Sequence, residues 1–297
     1  MNVTKKIKIA ITSKSNEKLH SEGLTQNTLT LIRMLAGAGY DITPVSQSKY
    51  HYGKKIGARK IEKLDLNSIK NFDIVLGVAN SLDKKTTESL HSSGGKSIVI
   101  EYGNNLLINA ARTVYDRGSE SFNISYEDET WISPHFEHSI SGISAMRKHE
   151  VKICPYIWSP TETINDEKLF FNENWKIDSI GVLESNLYFV KMCHIPVLIC
   201  EEYYNNYSKD IDCYIFGSRI LEGGGFNKFA NMMNIVKENK MSFEERMKFN
   251  HTIKRGYTKC VVSHQIYNEL NYLQLECMFL GIPIIHNSRA FKDHGYY

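Results

Sequence analysis

"LNYLQLECMFLGIPIIHNS" (residues 270–288) is the stretch from which the fold can be predicted. It carries one acid, Glu276, among apolar residues, and then Gly281, Pro283 and a hydrophobic run. This order is typical of a helix that ends at a glycine and turns directly into a buried strand. A carboxylate with apolar neighbours needs a partner or a ligand. We therefore take Glu276 as the first candidate binding residue.

Short apolar strands alternate with helical segments through the rest of the chain. Strands are predicted at residues 7–12, 41–46, 72–79, 96–103, 151–154, 178–184, 212–217, 259–265 and 282–288. Helices are predicted at 27–39, 186–195 and 241–256. A further helix is predicted within 223–238, after a glycine turn, and another within 268–281. Strands and helices joined by short connections favour parallel sheets with right-handed crossovers.

The middle of the chain interrupts this alternation. "PYIWSPTETINDEK" (155–168) has prolines and no periodicity, so it is predicted to connect two domains. We expect an α/β fold of two tandem Rossmann-like domains facing a central cleft. Their predicted bounds are 1–150 for the N-terminal, acceptor-side domain, 151–175 for the connector and 176–297 for the C-terminal, nucleotide-sugar-binding domain.

Composition narrows the class of protein. The 297 residues are 42% hydrophobic and 23% charged, typical of a globular chain, and a formal charge of +3 is too small to indicate nucleic-acid binding. Six cysteines without a CxxC pair indicate a reducing, cytoplasmic location. No apolar run approaches the roughly 18 residues of a spanning helix. We expect neither a membrane span nor a signal peptide.

The carboxyl ends of the predicted strands are where ligands should bind. In open parallel sheets, ligands lie beyond these ends and beside helix N-termini. The rule selects the loop that ends at Gly23 and the segments 101–105, 183–186, 216–219 and 263–265. His264 lies in the last of them and is a candidate for nucleotide contact. His135 and His138 resemble a metal pair, but no third ligand is evident, so no metal is expected.

The segment "ECMFLGIPII" (276–285) resembles the glutamate-bearing helix and Gly-x-Pro turn of GT-B glycosyltransferases of the group-1, family 4-like branch. That resemblance implies that Glu276 binds the ribose hydroxyls of a nucleotide, since a carboxylate can accept two hydrogen bonds from a vicinal diol. In that branch a first acid precedes this one by eight residues, and its position here is occupied by Asn268. The resemblance therefore implies that Asn268, Glu269 or Asn271 contacts the sugar.

A second likeness lies in "VLESNLYFVK" (182–191). In the same branch an arginine and a lysine at this place hold the diphosphate. Here the arginine position is Asn186, and the lysine is retained as Lys191. A lone lysine lacks the bidentate geometry of arginine. Arg219, after the next strand, is the candidate for the missing cation.

The N-terminal half resembles the same class of enzymes. In "EGLTQNTLTLIRMLAGAGYDITPVS" (22–46), Gly23 would let the backbone approach donor phosphates or the acceptor. The segments "WISPH", "PYIWSP", "IIHNS" and the terminal "GYY" are similar to a group of predicted GT-B-like proteins from bacteria and their viruses. GT-B chains usually continue with helices after the last strand, so the resemblance implies that such helices are missing here.

The resemblance implies a hexosyl- or pentosyltransferase that moves a sugar from a nucleotide-sugar donor to an acceptor, without a metal or other cofactor. The acceptor would be a glycan, a small molecule or DNA. One alternative is transfer to modified bases of viral DNA, favoured by five Lys and Arg residues in "KYHYGKKIGARK" (49–60). Another is a GT-B-like protein that only binds a nucleotide or glycan, favoured by the altered positions Asn186 and Asn268.

Overall fold

The computed structural model describes residues 6–15, 17, 23–115, 125–160, 164, 166 and 169–297. The chain divides into two compact units, Met1–Ser159 and Pro160–Tyr297. The division lies inside the predicted connector, residues 151–175.

Unit 1 is built on a parallel sheet with the strand order β5-β2-β1-β6-β7-β8-β9. Its strands are β1 Lys8–Thr12, β2 Asp41–Ser46, β5 Glu62–Lys63, β6 Ile74–Val78, β7 Lys96–Glu101, β8 Glu129–Ile132 and β9 Val151–Ile153. An antiparallel hairpin, β3 Lys55–Ile56 and β4 Arg59–Lys60, lies outside this sheet. β1 pairs with β2 on one side and with β6 on the other. The other strands of this sheet that precede β6 in the chain are therefore added on one side of β1, and those from β6 onward on the other side.

The helices of unit 1 cover this sheet. They are α1 Gly23–Gly37, α2 Lys84–His91, α3 Asn105–Tyr115 and α4 Ile140–Arg147. Leu29 and Ile32 of α1 pack with Ile9 and Ile11 of β1 in one hydrophobic cluster. Leu29 and Ile32 are three residues apart and share one face of α1, and this face packs on the sheet.

Unit 2 is a five-stranded sheet with the order β12-β11-β10-β13-β14, in which every pairing is parallel. Its strands are β10 Ser179–Val182, β11 Asp212–Phe216, β12 Met241–Glu244, β13 Cys260–Ser263 and β14 Ile284–His286. Its helices are α5 His194–Asn206, α6 Gly224–Asn231, α7 Asn234–Lys237, α8 Phe249–Lys254 and α9 Tyr272–Leu280. Cys200, Cys213 and Cys260 are buried in its core, and all six cysteines of the chain are free.

The predicted α/β fold with parallel sheets is confirmed, and each predicted strand overlaps a strand of the structure. The opening segment folds as predicted. Asn271 and Gln274 form a capping box at the start of α9, and Gly281 ends the helix in the left-handed region at φ +71°. The chain then enters β14 beside β13.

The predicted helix at 241–256 is wrong. Met241–Glu244 forms the edge strand β12, which pairs in register with Cys213–Phe216 of β11, and the helix α8 begins only at Phe249. The spacing of Ser242 and Glu245 fits a capping box, but pairing with a buried neighbouring strand outweighs this local signal.

The predicted helix at 186–195 is also wrong. Asn186 has a left-handed backbone at φ +55°, Tyr188 is extended, and only a short 3-10 turn at Phe189–Lys191 precedes α5. The helix begins at His194, where Pro196 falls in its first turn and costs no helical hydrogen bond. Strand β8 was not predicted from the sequence.

Candidate functional site

The carboxyl ends of β10, β11, β12 and β13 meet at one edge of the unit 2 sheet, since these strands are parallel. We call the residues that follow them the carboxyl edge of unit 2: 183–193 after β10, 217–222 after β11, 245–248 after β12 and 264–271 after β13. Six of the predicted binding residues lie on it after β10 or β13: Asn186, Lys191, His264, Asn268, Glu269 and Asn271. Ligand sites of open α/β sheets form at such an edge.

Glu184 is the buried acid of this edge, with 2% of its surface exposed. Its Oε1 accepts a hydrogen bond of 2.7 Å from the Ser263 hydroxyl, and its Oε2 accepts one of 3.1 Å from Gln265 Nε2. The backbone N–H of His264 also donates to the carboxylate. Burial raises the pKa of Glu184 to about 7, although these hydrogen bonds and the charge of Lys191 act in the opposite direction.

The hydrogen bonds continue from Glu184 to Asn268. Gln265 Oε1 accepts a bond of 2.6 Å from Asn268 Nδ2, and both side chains are buried. The backbone of Gln265 is held by Asn287, whose side chain accepts from its N–H and donates to its carbonyl, each at 2.9 Å. Glu184 therefore fixes the loop after β13 through a continuous set of polar contacts.

Lys191 carries the cation next to this acid. Its side chain is half-buried, and no carboxylate of the described residues lies within 4.0 Å of its ammonium. Burial lowers the pKa of Lys191, Glu184 acts to raise it, and Arg246 acts to lower it further. A half-buried ammonium with no carboxylate in direct contact is available to an anionic ligand.

Asn186 shapes the turn that carries Lys191. Its side chain donates to the carbonyls of Glu184 and Gly217, at 3.2 Å each, and accepts from the Cys193 N–H at 2.8 Å. Its N–H donates to the Lys191 carbonyl at 3.0 Å. The asparagine thus bonds to the backbone of both loops, which accounts for its burial; its contact with a diphosphate stays a prediction.

Two arginines follow the neighbouring strands. Arg219, after β11, is exposed; its Nε lies 3.9 Å from a Glu222 carboxylate oxygen and donates to the Phe243 carbonyl at 3.4 Å. Arg246, after β12, is exposed and close enough to act on the charge of Lys191. Three strands in a row thus end in loops that carry a cation.

The remaining predicted residues of unit 2 lie between β13 and the middle of α9. The Asn271 side chain caps α9, and the Glu269 carbonyl accepts a hydrogen bond from the Ser288 hydroxyl. Glu276 is half-buried on α9, and His264 is half-buried, with its pKa lowered by burial. Their predicted contacts with ribose and sugar stay predictions.

Unit 1 has a cavity of its own, with a volume of about 550 Å³. It lies at the carboxyl ends of β1, β2 and β6, which contribute Thr12, Ser46 and Val78, beside Thr25 and Thr28 of α1. This is the point at which the strand order reverses, where doubly wound sheets bind ligands. Gly23 is the first residue of α1.

The basic segment 49–60 forms the hairpin β3–β4 and its flanks. Lys54 pairs with Glu17 at 2.6 Å, and Arg59 donates to the Ile42 carbonyl at 2.7 Å. Two of its cations are therefore engaged within the protein.

His135 packs 4.0 Å from the Phe136 ring, centroid to centroid. Burial, with a smaller effect of His138, lowers the pKa of His135 to about 4. In the part of the chain that the structure describes, no three His, Cys, Asp or Glu residues form a metal-binding group. Among the same residues, no helix is long and apolar enough to cross a membrane.

Glu184, Gln265 and Arg246 are site residues that were not predicted from the sequence. Glu184 and Gln265 fall in segments selected as strand ends, so an acid directly after a buried strand was the available signal. Arg246 was hidden because 241–256 was predicted as one helix, whereas the structure has a strand end at Glu244.

Solved structures with a similar fold include glycosyltransferases. A glycosyltransferase from Rickettsia africae is 13% identical, with a TM-score of 0.59 over 95% of this chain and 79% of the other. The lipopolysaccharide outer core galactosyltransferase WaaB is 13% identical, with a TM-score of 0.57 over 94% and 80%. HepE from Anabaena, solved with UDP-glucose, is 9% identical, with a TM-score of 0.56 over 94% and 80%.

These likenesses define the class of fold as GT-B, built from Rossmann-like α/β domains. The chain belongs to the family described as "Protein of unknown function (DUF2827)", whose model matches residues 7–297. None of the curated proteins matches the sequence. The group-1 branch within the GT-B class stays a prediction.

Proposed function

We propose that the protein is a glycosyltransferase that transfers a sugar from a nucleotide-sugar donor to an acceptor. The observation that carries the proposal is Lys191, a half-buried ammonium without a carboxylate within 4.0 Å among the described residues, at the carboxyl edge of unit 2. Departure of a nucleoside diphosphate from a sugar develops negative charge, and a preorganised cation stabilises that charge.

Two further features support a diphosphate at this edge. Arg219 follows β11, which is next to β10, and Arg246 follows β12, the strand beyond it; both add positive charge at the same edge of the sheet. The solved structures with the same fold include an enzyme in complex with UDP-glucose. Unit 2 would then bind the donor, with Glu276 on the ribose and Asn268, Glu269, Asn271 or His264 toward the sugar.

Unit 1 would bind the acceptor. Its cavity is lined mainly by hydroxyl and amide side chains, among them Thr12, Ser46, Gln47 and Asn80. Such groups suit an acceptor that presents hydroxyls, such as a glycan or another polyol. No metal is assigned to the reaction, because the cations of the edge would neutralise the diphosphate in its place.

Turnover of nucleotide sugars tests the proposal. The protein is incubated with UDP-, GDP- and ADP-sugars, and release of the nucleoside diphosphate is measured with and without candidate glycan acceptors. We expect one donor class to be turned over. In Lys191→Met, the rate should fall by about 100-fold or more, as for the loss of one group that stabilises transition-state charge.

Lys176→Met is the matched control, because Lys176 is an exposed lysine before β10, at the opposite edge of the same sheet. It should leave turnover unchanged. If no sugar nucleotide is turned over but one of them raises the melting temperature, the protein is a nucleotide-binding module and the transferase proposal is wrong. Salt-sensitive binding of DNA, lost when Lys55 and Lys60 are neutralised, would instead favour DNA as the acceptor.

A further inference from the structure

Glu184 is a buried acid that the proposed reaction does not use. Its carboxyl group lies at the end of β10, in the same loop region as the cation Lys191. Among the residues that the structure describes, its hydrogen-bond partners are the Ser263 hydroxyl, Gln265 Nε2 and the His264 N–H, which are all donors. An anion that binds at Lys191 therefore brings its negative charge into a site that already contains the carboxylate of Glu184.

We propose that Glu184 is a proton-coupled positioning residue of this site: a diphosphate that binds at Lys191 causes Glu184 to take up a proton. The inference rests on the proposed function, because it takes the ligand of Lys191 to be the diphosphate of a nucleotide. Protonation of Glu184 removes one negative charge from the site when the ligand binds, while the loop after β13 stays in place.

The electrostatics give the direction of the proton. In the free protein, the positive charge of Lys191 stabilises the carboxylate of Glu184 and opposes the effect of burial. A bound diphosphate neutralises that ammonium and adds negative charge close to the acid. Both changes destabilise the carboxylate, so protonation becomes more favourable; with a pKa of about 7 in the free protein, the change occurs near neutral pH.

The hydrogen bonds allow the acid to change state without moving. A serine hydroxyl can donate to a carboxylate or accept from a carboxylic acid by rotating its hydrogen. The Ser263 bond, 2.7 Å long, can therefore reverse, while Gln265 Nε2 continues to donate to the other oxygen. Gln265 then keeps its bond to Asn268, and the loop keeps its position.

The other groups that face Glu184 do not take this proton. Burial raises the pKa of the Cys193 thiol to about 12, so it is already protonated near pH 7. His264 faces the acid with its backbone N–H, and burial lowers the pKa of its side chain. The cationic forms of the Lys191 and Arg246 side chains are donors without an acceptor atom, so they offer no place for this proton.

Calorimetry of UDP binding in buffers of different ionisation enthalpy measures the proton. The experiment uses the full chain near pH 7.5, where Glu184 is mostly ionised, and UDP, or GDP or ADP where UDP does not bind. Glu184→Gln is the matched variant, because its amide can donate to Ser263 and accept from Gln265 as the protonated acid would. We expect the wild type to take up about half a proton more per bound nucleotide than Glu184→Gln.

The pH dependence of affinity gives a second readout. The dissociation constant of the wild type should rise between about pH 6 and 8.5 more steeply than that of Glu184→Gln, because only the wild type gains a negative charge at this residue. Equal proton uptake in the two proteins overturns the inference alone and leaves Glu184 a structural residue. Absence of binding to all three nucleotides overturns the proposed function as well.

Discussion

Glu276 is the residue that we propose to recognise the nucleotide. It lies half-buried in the middle of α9, on a helix whose start is fixed by a capping box and whose end is fixed by Gly281. A carboxylate held on a fixed helix can accept two hydrogen bonds from a ribose diol with little loss of side-chain entropy.

Glu276→Ala should weaken binding of a nucleoside diphosphate by about 10- to 100-fold, because one or two hydrogen bonds to a charged group are lost. Isothermal calorimetry with UDP, GDP and ADP measures the change. Glu173→Ala, which removes an exposed acid before β10, should bind as the wild type does. Unchanged affinity of a folded Glu276→Ala variant would overturn the assignment.

Residue types and strand ends predict part of the site from the sequence. Lys191, Asn186, His264 and Asn268 do lie at one edge of unit 2, because parallel strands bring their carboxyl ends together whatever the details of the loops. What Asn186 bonds to could not be predicted, because its contacts with the Gly217 carbonyl and the Cys193 N–H depend on a left-handed turn.

At the scale of elements, local signals were reliable where tertiary contacts agree with them. Helix α9 has an N-cap, an apolar run and a C-terminal glycine, and it forms as predicted. The segment 241–256 has a capping-box spacing as well, yet its first residues pair with β11. A strand of four residues at the edge of a sheet has little sequence signal of its own, so only its neighbour decides its conformation.

Gly281→Ala should destabilise unit 2 by about 1–2 kcal/mol, because the residue has a left-handed backbone at φ +71°. The new Cβ would also lie 3.2 Å from the Cβ of Phe171, tighter than ordinary contact. Thermal unfolding followed by circular dichroism measures the change.

Gly225→Ala is the control for that substitution. Gly225 lies in the first turn of α6, has no positive φ, and an added Cβ would meet no heavy atom within 4 Å. Its replacement should leave stability unchanged or raise it by up to about 1 kcal/mol. Equal losses of stability in the two variants would show that the left-handed backbone of Gly281 is not the cause of the loss.

At the scale of the whole molecule, the sequence predicts the class of fold because periodicity repeats over many elements. Nine predicted strands overlap observed ones, and their alternation with helices indicates an α/β fold with parallel sheets. Of the cavity of unit 1, the sequence predicts the loop that follows β1, because the other walls come from β2, β6 and α1, which are far apart in sequence.

The structure of the protein with a bound nucleoside diphosphate tests the central claim most directly. Crystals are grown with UDP, or with GDP or ADP where those bind instead. We expect the diphosphate at the carboxyl edge of unit 2, within hydrogen-bonding distance of Lys191 Nζ, and the ribose hydroxyls on Glu276. A nucleotide bound in the cavity of unit 1, or anywhere that leaves Lys191 without contact, would contradict the assignment of unit 2 as the donor-binding unit.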